Sequence, residues 1–443
     1  MGRTQTRGTV GKTGDITETN AALKAADGGF GVFGYYTKNT VYAYDQAAFL
    51  PNFMYNQKVY WNSSKWDYTP VKYWPNGLND LDGGAGGDDA TLTAGGKVSF
   101  FAYAPYVATT TITSATSSDE GIVGISTNTL EGNPTITYQI PSTGMVDLLW
   151  GTANTSGKDL AGNNQPGTTL DDHTITNGGS THYKVNADLT KQQIDGAVKF
   201  NFIHALSKVG GSTNDGVEGG LQIMLDIDKT SGGDAEDANT KVTVKEIKIN
   251  TDYNHNGDLT DDVITMYKKG TLDLATGIWT ISDNVSDKYT VNQTITTAGT
   301  SPASQLNPDI AEPTTTVDEW SDLSAINGVK IAKKNVYASG LENSPLLFIP
   351  GTTPKLQFTI TYYVRTLDTN LAAGYSEVQQ TVSKTVTFAN PVLINKKYNF
   401  IIHLGLTSVK FEATVANWSA DINDSGVVDA NDQTVINLPL NVE

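Results

Sequence analysis

The feature that most constrains this chain is alternation. In stretch after stretch, apolar and polar residues exchange places with period two, the pattern of a strand with one face in a core and the other in water. The cleanest run is LQFTITYYVRT, in which Leu356, Phe358, Ile360, Tyr362 and Val364 fall on one face and Gln357, Thr359, Thr361, Tyr363 and Arg365 on the other. VKFEATV sets Val409, Phe411, Ala413 and Val415 against Lys410, Glu412 and Thr414, and VKFNF sets Val198, Phe200 and Phe202 against Lys199 and Asn201. KVTVKEIKIN alternates twice, with a change of phase between Val244 and Ile247 that a β-bulge absorbs. Helices fit only in short pieces, around 188–194 and 317–323. Clusters such as NDLDGGAGGDD, TSGGDAEDANT and KDLAGNNQPG read as turns or long solvated loops. The expected fold is therefore all-β, built from antiparallel β-sandwiches rather than a parallel sheet with crossover helices. A chain of 443 residues has room for two or three domains at about 150 to 200 residues each. The boundary is placed near 185–197, which gives an N-terminal sandwich over 1–190 and a C-terminal sandwich over 191–443, with a tail after Trp418.

Composition then removes function classes. Cysteine is absent, so the chain is no disulfide scaffold, iron–sulfur protein or thiol enzyme. Asp and Glu number 47 against 30 Lys and Arg, a formal charge of −17, which opposes a nucleic-acid or anionic-membrane partner and favours a hard cation such as Ca2+. No apolar run approaches the roughly 18 to 20 residues of a membrane span, and none follows a basic N-terminal region as a secretory signal would. The chain is expected to be soluble, not membrane-spanning, with any targeting segment left off.

Catalytic patterns are scarce. His173, His182, His204, His255 and His403 show no H-x-x-x-H or H-E-x-x-H spacing, and there is no G-x-S-x-G elbow. His204 and His403 lie in strand-like segments and read as packed histidines bonded to a neighbouring group. GTVGKT has only two residues between Gly8 and Gly11 where a phosphate loop needs four, and no apolar strand precedes it. The acidic residues cluster in turn-like sequence, where solvated loops are the default, so a glycosidase-type carboxylate pair is not expected. The aromatic group Tyr55, Tyr60, Trp61, Trp66, Tyr68, Tyr73 and Trp74 reads as strand packing, with a sugar-binding platform as the alternative.

The most specific spacing is DINDSGVVDAND. Asp421, Asn423 and Ser425 occupy positions 1, 3 and 5 of an EF-hand-type loop, Gly426 the turn at 6, Val427 a carbonyl at 7, and Asp429 and Asp432 positions 9 and 12. The pattern resembles the calcium loop of dockerin modules, but a dockerin has two such loops, with helices, and only eleven residues follow Asp432 here. It reads as a lone structural Ca2+ loop or as an acidic turn. A weaker echo is DYNHNGDLTDDV, with Asp252, Asn254 and Asn256 at positions 1, 3 and 5 but Val263 at 12. Finally, INLPLNV places Ile436, Leu438, Leu440 and Val442 on one face, either a donated or self-paired terminal strand or an ordinary edge strand.

Taken in order, FMYNQKVYW, WDYTPVKYWPN, KVSFFAYAPY, VDLLWG, VKFNFIHALSKV, LLFIPGT with LQFTITYYV, and KKYNFIIHLGL with VKFEATVANW resemble the fimbrillin family of Bacteroidetes surface proteins. The resemblance spans roughly residues 30–418. It implies two tandem transthyretin-like sandwich domains and a structural, adhesive role without catalysis, as a shaft, tip or anchor subunit of a pilus. It also implies export as a lipoprotein to the outer membrane and cell-surface fimbrium, with other pilin subunits as partners through strand donation and a surface glycan or protein as the adhesion ligand. This chain lacks the signal peptide and lipid-bearing Cys of such precursors, as an export-trimmed mature form would. In some polymerising members an Arg-specific protease removes an N-terminal strand. Arg3 and Arg7 are the only arginines before Arg365, so a cut there would remove at most seven residues, too few for a sandwich strand. The alternative function is a surface-anchored carbohydrate-binding protein.

Overall fold

The structure, a computed structural model, describes residues 4–6, 23–25, 28–37, 42, 49–73, 97–113, 120–141, 147–153, 185–189, 198, 200–209, 221–225, 227–228, 240–251, 253, 265–282, 288–289, 291–296, 329–330, 333–335, 346–404, 409–417, 436–438 and 440–442. Among them the chain is almost entirely β, as its alternation implies. It divides into two compact units, one of Met1–Leu206 with Lys269–Ser282 and one of Ser207–Lys268 with Asp283–Glu443.

The first unit contains β1 (Thr4–Thr6), β2 (Phe30–Thr37), β3 (Met54–Trp61), β4 (Trp66–Asp67), β5 (Lys97–Ala104), β6 (Gly121–Ile125), β7 (Thr135–Gln139), β8 (Leu149–Ala153), β9 (Asn186–Leu189) and β10 (Phe200–His204). β9, within the expected 185–197 boundary, and β10, beyond it, both lie in this unit. Asp188 and Leu189, at the start of one expected helix, are in β9; the other expected helix, 317–323, lies outside the described residues. Strands β11 (Ser207–Val209), β12 (Leu221–Leu225), β13 (Ile227–Asp228) and β14 (Thr240–Asn250) belong to the second unit. The chain then returns to the first unit for β15 (Lys269–Asp273) and β16 (Trp279–Ile281). The second unit resumes with β17 (Asn292–Thr296), β18 (Val329–Lys330), β19 (Lys333–Asn335), β20 (Leu346–Phe348), β21 (Lys355–Leu367), β22 (Tyr375–Phe388), β23 (Lys396–Leu404), β24 (Val409–Asn417), β25 (Ile436–Leu438) and β26 (Leu440–Val442).

In the first unit the larger sheet runs β1-β10-β8-β5-β2-β3-β4, with β9 on the part of β5 that β8 leaves open, and the smaller runs β16-β15-β7-β6. β2 and β5 are buried along nearly their whole length, which explains why FGVFGYYT and KVSFFAYA read as apolar runs rather than clean alternations. On one face Phe30, Val32, Phe100, Phe200 and Phe202 build a core, with Phe30 edge-on to Trp66 and Phe202, each at 5.3 Å between ring centres.

The second unit has one sheet in the order β17-β14-β21-β22-β26 and another built on β23. β24 pairs along one edge of β23 and β11 and β12 along the other, with β20 on β11, β19 on β12 and β25 on β24. Of the expected alternation in β21, Leu356, Phe358, Ile360 and Tyr362 are buried, but Gln357 and Thr361 on the other face are buried too and Val364 is only half-buried. Phe358 meets Phe400 at 5.1 Å, and Phe388 meets Tyr398 and Phe400 at 5.2 and 5.6 Å, so β21 and β22 share a core with β23. The β14–β21 register shifts between Val244 and Glu246, which is where the sequence changes phase. Pairing is antiparallel except for β1 on β10 and for β11 and β12 on β23.

Candidate functional site

The first and last described strands of the chain, β1, β25 and β26, lie at sheet edges. The INLPLNV segment, with the alternation of one strand, forms two strands on different sheets. β25 pairs with β24, Ile436 opposite Val415 and Leu438 opposite Ala413. β26 pairs with β22, Leu440 opposite Phe388 and Val442 opposite Val386. The chain therefore changes sheets between Leu438 and Leu440, and Pro439 between them has no N–H to offer a ladder. Each strand contributes a pairing of only three residues. What they cover matters more than their length. Val386 and Phe388 are fully buried, and Phe388 lies among Phe348, Tyr398 and Phe400. Without β26 this end of β22 would present unpaired backbone groups beside the core, the condition under which a sheet recruits a new strand.

At the other end, Thr4–Thr6 lies parallel to β10, with Thr4 opposite Phe200 and Thr6 opposite Phe202. The segment between Arg3 and Arg7, too short for a full sandwich strand, supplies a three-residue strand at a sheet edge.

Among the described residues no group of three or more His, Cys, Asp or Glu could hold a metal ion. The two Asp-rich loops, Asp421, Asn423, Ser425, Val427, Asp429 and Asp432, and Asp252, Asn254 and Asn256, lie outside those residues. His204 matches the packed-histidine reading, its Nδ1 lying 2.7 Å from Asp147 Oδ2 with both side chains wholly buried. Burial also raises the Asp273 carboxyl, although the Asn133 side-chain amide and the Ala275 and Thr276 backbone amides donate to it, at 2.7, 2.8 and 3.1 Å. It raises Asp188 as well, which accepts from the Tyr42 amide at 2.9 Å. Tyr398, whose hydroxyl accepts from the Leu393 amide at 2.9 Å, is pushed up to about 12 by burial.

The aromatic group divides. Trp66 is buried against Phe30 and Trp61, and Tyr55 is edge-on to Phe33 with its hydroxyl donating to the Ser126 carbonyl at 3.0 Å. Lys24 Nζ stands 4.2 Å above the Trp61 ring. Tyr73 is 86% exposed, and Trp74 lies outside the described residues. Trp66 is thus a core residue and offers no face to a sugar. Sequence reading missed KGTLDLATGIWTI, the β15–β16 hairpin, although the alternation of Leu272 and Leu274 before Thr276-Gly277 was a usable hairpin signal.

Fold and site together define an all-β, two-unit protein whose terminal strands occupy sheet edges, and among the described residues no helix is long and apolar enough to cross a membrane. The resemblance drawn from the ordered segments extends over nearly the whole chain. It is 24% identical over 428 residues to fimbrium subunit Fim1C of Phocaeicola vulgatus strain ATCC 8482, covering 93% of this chain and 87% of that protein. Its fold is similar to that of a fimbrial protein from Bacteroides vulgatus ATCC 8482, with a TM-score of 0.52 at 20% identity, covering 94% of this chain and 99% of that one. No protein-family model matches the sequence.

Proposed function

We propose that this protein is a structural and adhesive subunit of a cell-surface pilus, without catalytic activity, whose two units are tandem transthyretin-like sandwiches. It is exported as a lipoprotein to the outer membrane and joined to other pilin subunits by strand donation. The donor is the segment of Ile436, Leu438, Leu440 and Val442, which rests on its own sheets before assembly and leaves them for a neighbouring subunit. Ca2+ in the Asp421–Asp432 loop would stiffen the connection between Asn417 and the donor. The observation that carries the reading is the pair of three-residue terminal strands seated on two sheet edges. The full-length similarity to a fimbrium subunit supports it. Exchange is thermodynamically reasonable because the edges of β22 and β24 that this segment vacates can be filled in kind by the same segment of a neighbouring subunit.

Deleting residues 436–443 tests it. The truncated protein should fold and remain monomeric while the parent is incorporated into surface fibres. Incorporation of the truncated chain at the parental level would refute donation by this segment, and outright unfolding would assign the segment to its own sandwich.

A further inference from the structure

β14 and β17 are paired neighbours in the second unit, with Asn250 opposite Asn292. The chain between them does not close as an ordinary hairpin. It narrows where Tyr267 bridges Lys288 and the Tyr289 amide donates to the Met266 carbonyl at 2.9 Å. From there it passes to the first unit, to which residues 269–282 belong. β15 pairs with β7 over five residues, from Lys269 opposite Gln139 to Asp273 opposite Thr135, and β16 folds back on β15.

The attachment is reciprocal. Trp150 on β8 donates its indole N–H to the Leu274 carbonyl in the hairpin turn, and Trp279 on β16 donates its own to the Ala205 carbonyl, each at 2.9 Å. The Leu274 amide donates to the Pro134 carbonyl at 2.9 Å, and the Thr137 and Thr271 hydroxyls are hydrogen-bonded at 3.0 Å. Leu272, Leu274 and Ala275 are wholly buried, as is Trp150. Gly277, at φ +73°, brings its backbone so close that an added Cβ would lie 2.3 Å from the Trp150 ring. This is core packing, with each partner's indole satisfied by the other's backbone.

We propose that residues 269–282 are a clasp: a hairpin contributed from within the second unit's sequence, for which the edge of β7 is the acceptor site, and without which the first unit does not fold. Removing it would leave β7 unpaired along this edge, uncover Trp150, and take away the Asp273 carboxylate that accepts from Asn133 and the Trp279 indole that donates to the Ala205 carbonyl. The first 206 residues therefore do not reach their final structure until residue 282 is available to them. Folding of the first unit waits on part of the second unit's chain.

The test replaces residues 269–282 in the full-length protein with a short Gly-Ser linker from Lys268 to Asp283 and reads amide hydrogen exchange by mass spectrometry. The amides of β5, β7 and β8 should lose at least about 100-fold in protection while those of β14, β21 and β22 keep theirs. Protection of β5, β7 and β8 within threefold of the parent overturns the proposal. Should the shortened chain fail to fold throughout, Gly277→Ala in the intact sequence decides. A loss confined to β5, β7 and β8 supports the clasp, and an equal loss in both units, or none, overturns it.

Discussion

Gly277→Ala should destabilise the first unit far more than an alanine at a comparable glycine elsewhere. Gly277 ends the turn between β15 and β16, its amide donating to the Asp273 carbonyl at 2.8 Å, with φ at +73°. An L-residue held in that left-handed region costs about 1 to 2 kcal/mol. The larger effect is steric. The new Cβ would lie 2.3 and 2.4 Å from Trp150 ring atoms, and that ring is fully buried and cannot move toward solvent. Forcing a methyl into such packing adds about 1 to 3 kcal/mol, and shifting the indole weakens its bond to Leu274, worth about 1 kcal/mol. The sum, about 4 kcal/mol, is a large part of the roughly 5 to 15 kcal/mol that holds a domain together. For a unit of about 200 residues it corresponds to a fall of about 8 to 16 °C in melting temperature. Gly374 is the control, since its φ is +75° but nothing lies within 4 Å of an added Cβ. Gly374→Ala should show only the conformational part. The assay is differential scanning calorimetry of parent and both variants. Equal losses for the two alanines would refute the reasoning, because backbone strain alone would then account for both.

Three further outcomes are expected. Asp147→Ala leaves His204 buried without its carboxylate and should cost about 3 to 5 kcal/mol by urea unfolding; a loss under about 1 kcal/mol would mean the pair is not holding β8 to β10. Because burial raises Asp273 above the ordinary 3.8 of an aspartate carboxyl, the folded state holds that proton more tightly than the unfolded chain. Its contribution to stability is therefore complete below 3.8 and lost as pH rises through the folded midpoint, and an NMR titration midpoint below 3.8 would contradict this. Chelation of Ca2+ should lower the melting temperature of the parent, and Asp421→Ala should abolish that shift; a parent indifferent to chelator would remove the calcium loop from the account.

The legible part of this fold was whatever depends on neighbours along the chain. Leu356 to Tyr362 alternate because β21 has one face in a core, and the misphasing at Val244 marks an irregularity of pairing with β21 itself. Segments buried on both faces, such as β2, lose the alternation and were visible only as aromatic density. What remained hidden depends on partners distant in sequence. Nothing near Lys269 says that its strand, besides pairing with β16 next to it, joins β7, 130 residues earlier. His204 announces a packed histidine, but its carboxylate at Asp147 is a matter of strand register between β8 and β10. Likewise the period of INLPLNV suggested one terminal strand, and the division over two sheets follows from where β22 and β24 end.

The central claim is that the terminal strands leave their own sheets when subunits join. Because the chain contains no cysteine, a disulfide staple can be introduced without competing thiols. Thr387 and Asn441 occupy opposed register positions in the β22–β26 pairing, where a staple can join the two strands. In Thr387→Cys/Asn441→Cys, oxidation fixes β26 to β22 and reduction frees it. Incorporation into fibres, measured by immunogold electron microscopy against the parent, should be lost in the oxidised protein and recovered after reduction. Equal incorporation in both redox states would show that β26 stays in place during assembly and would contradict the account.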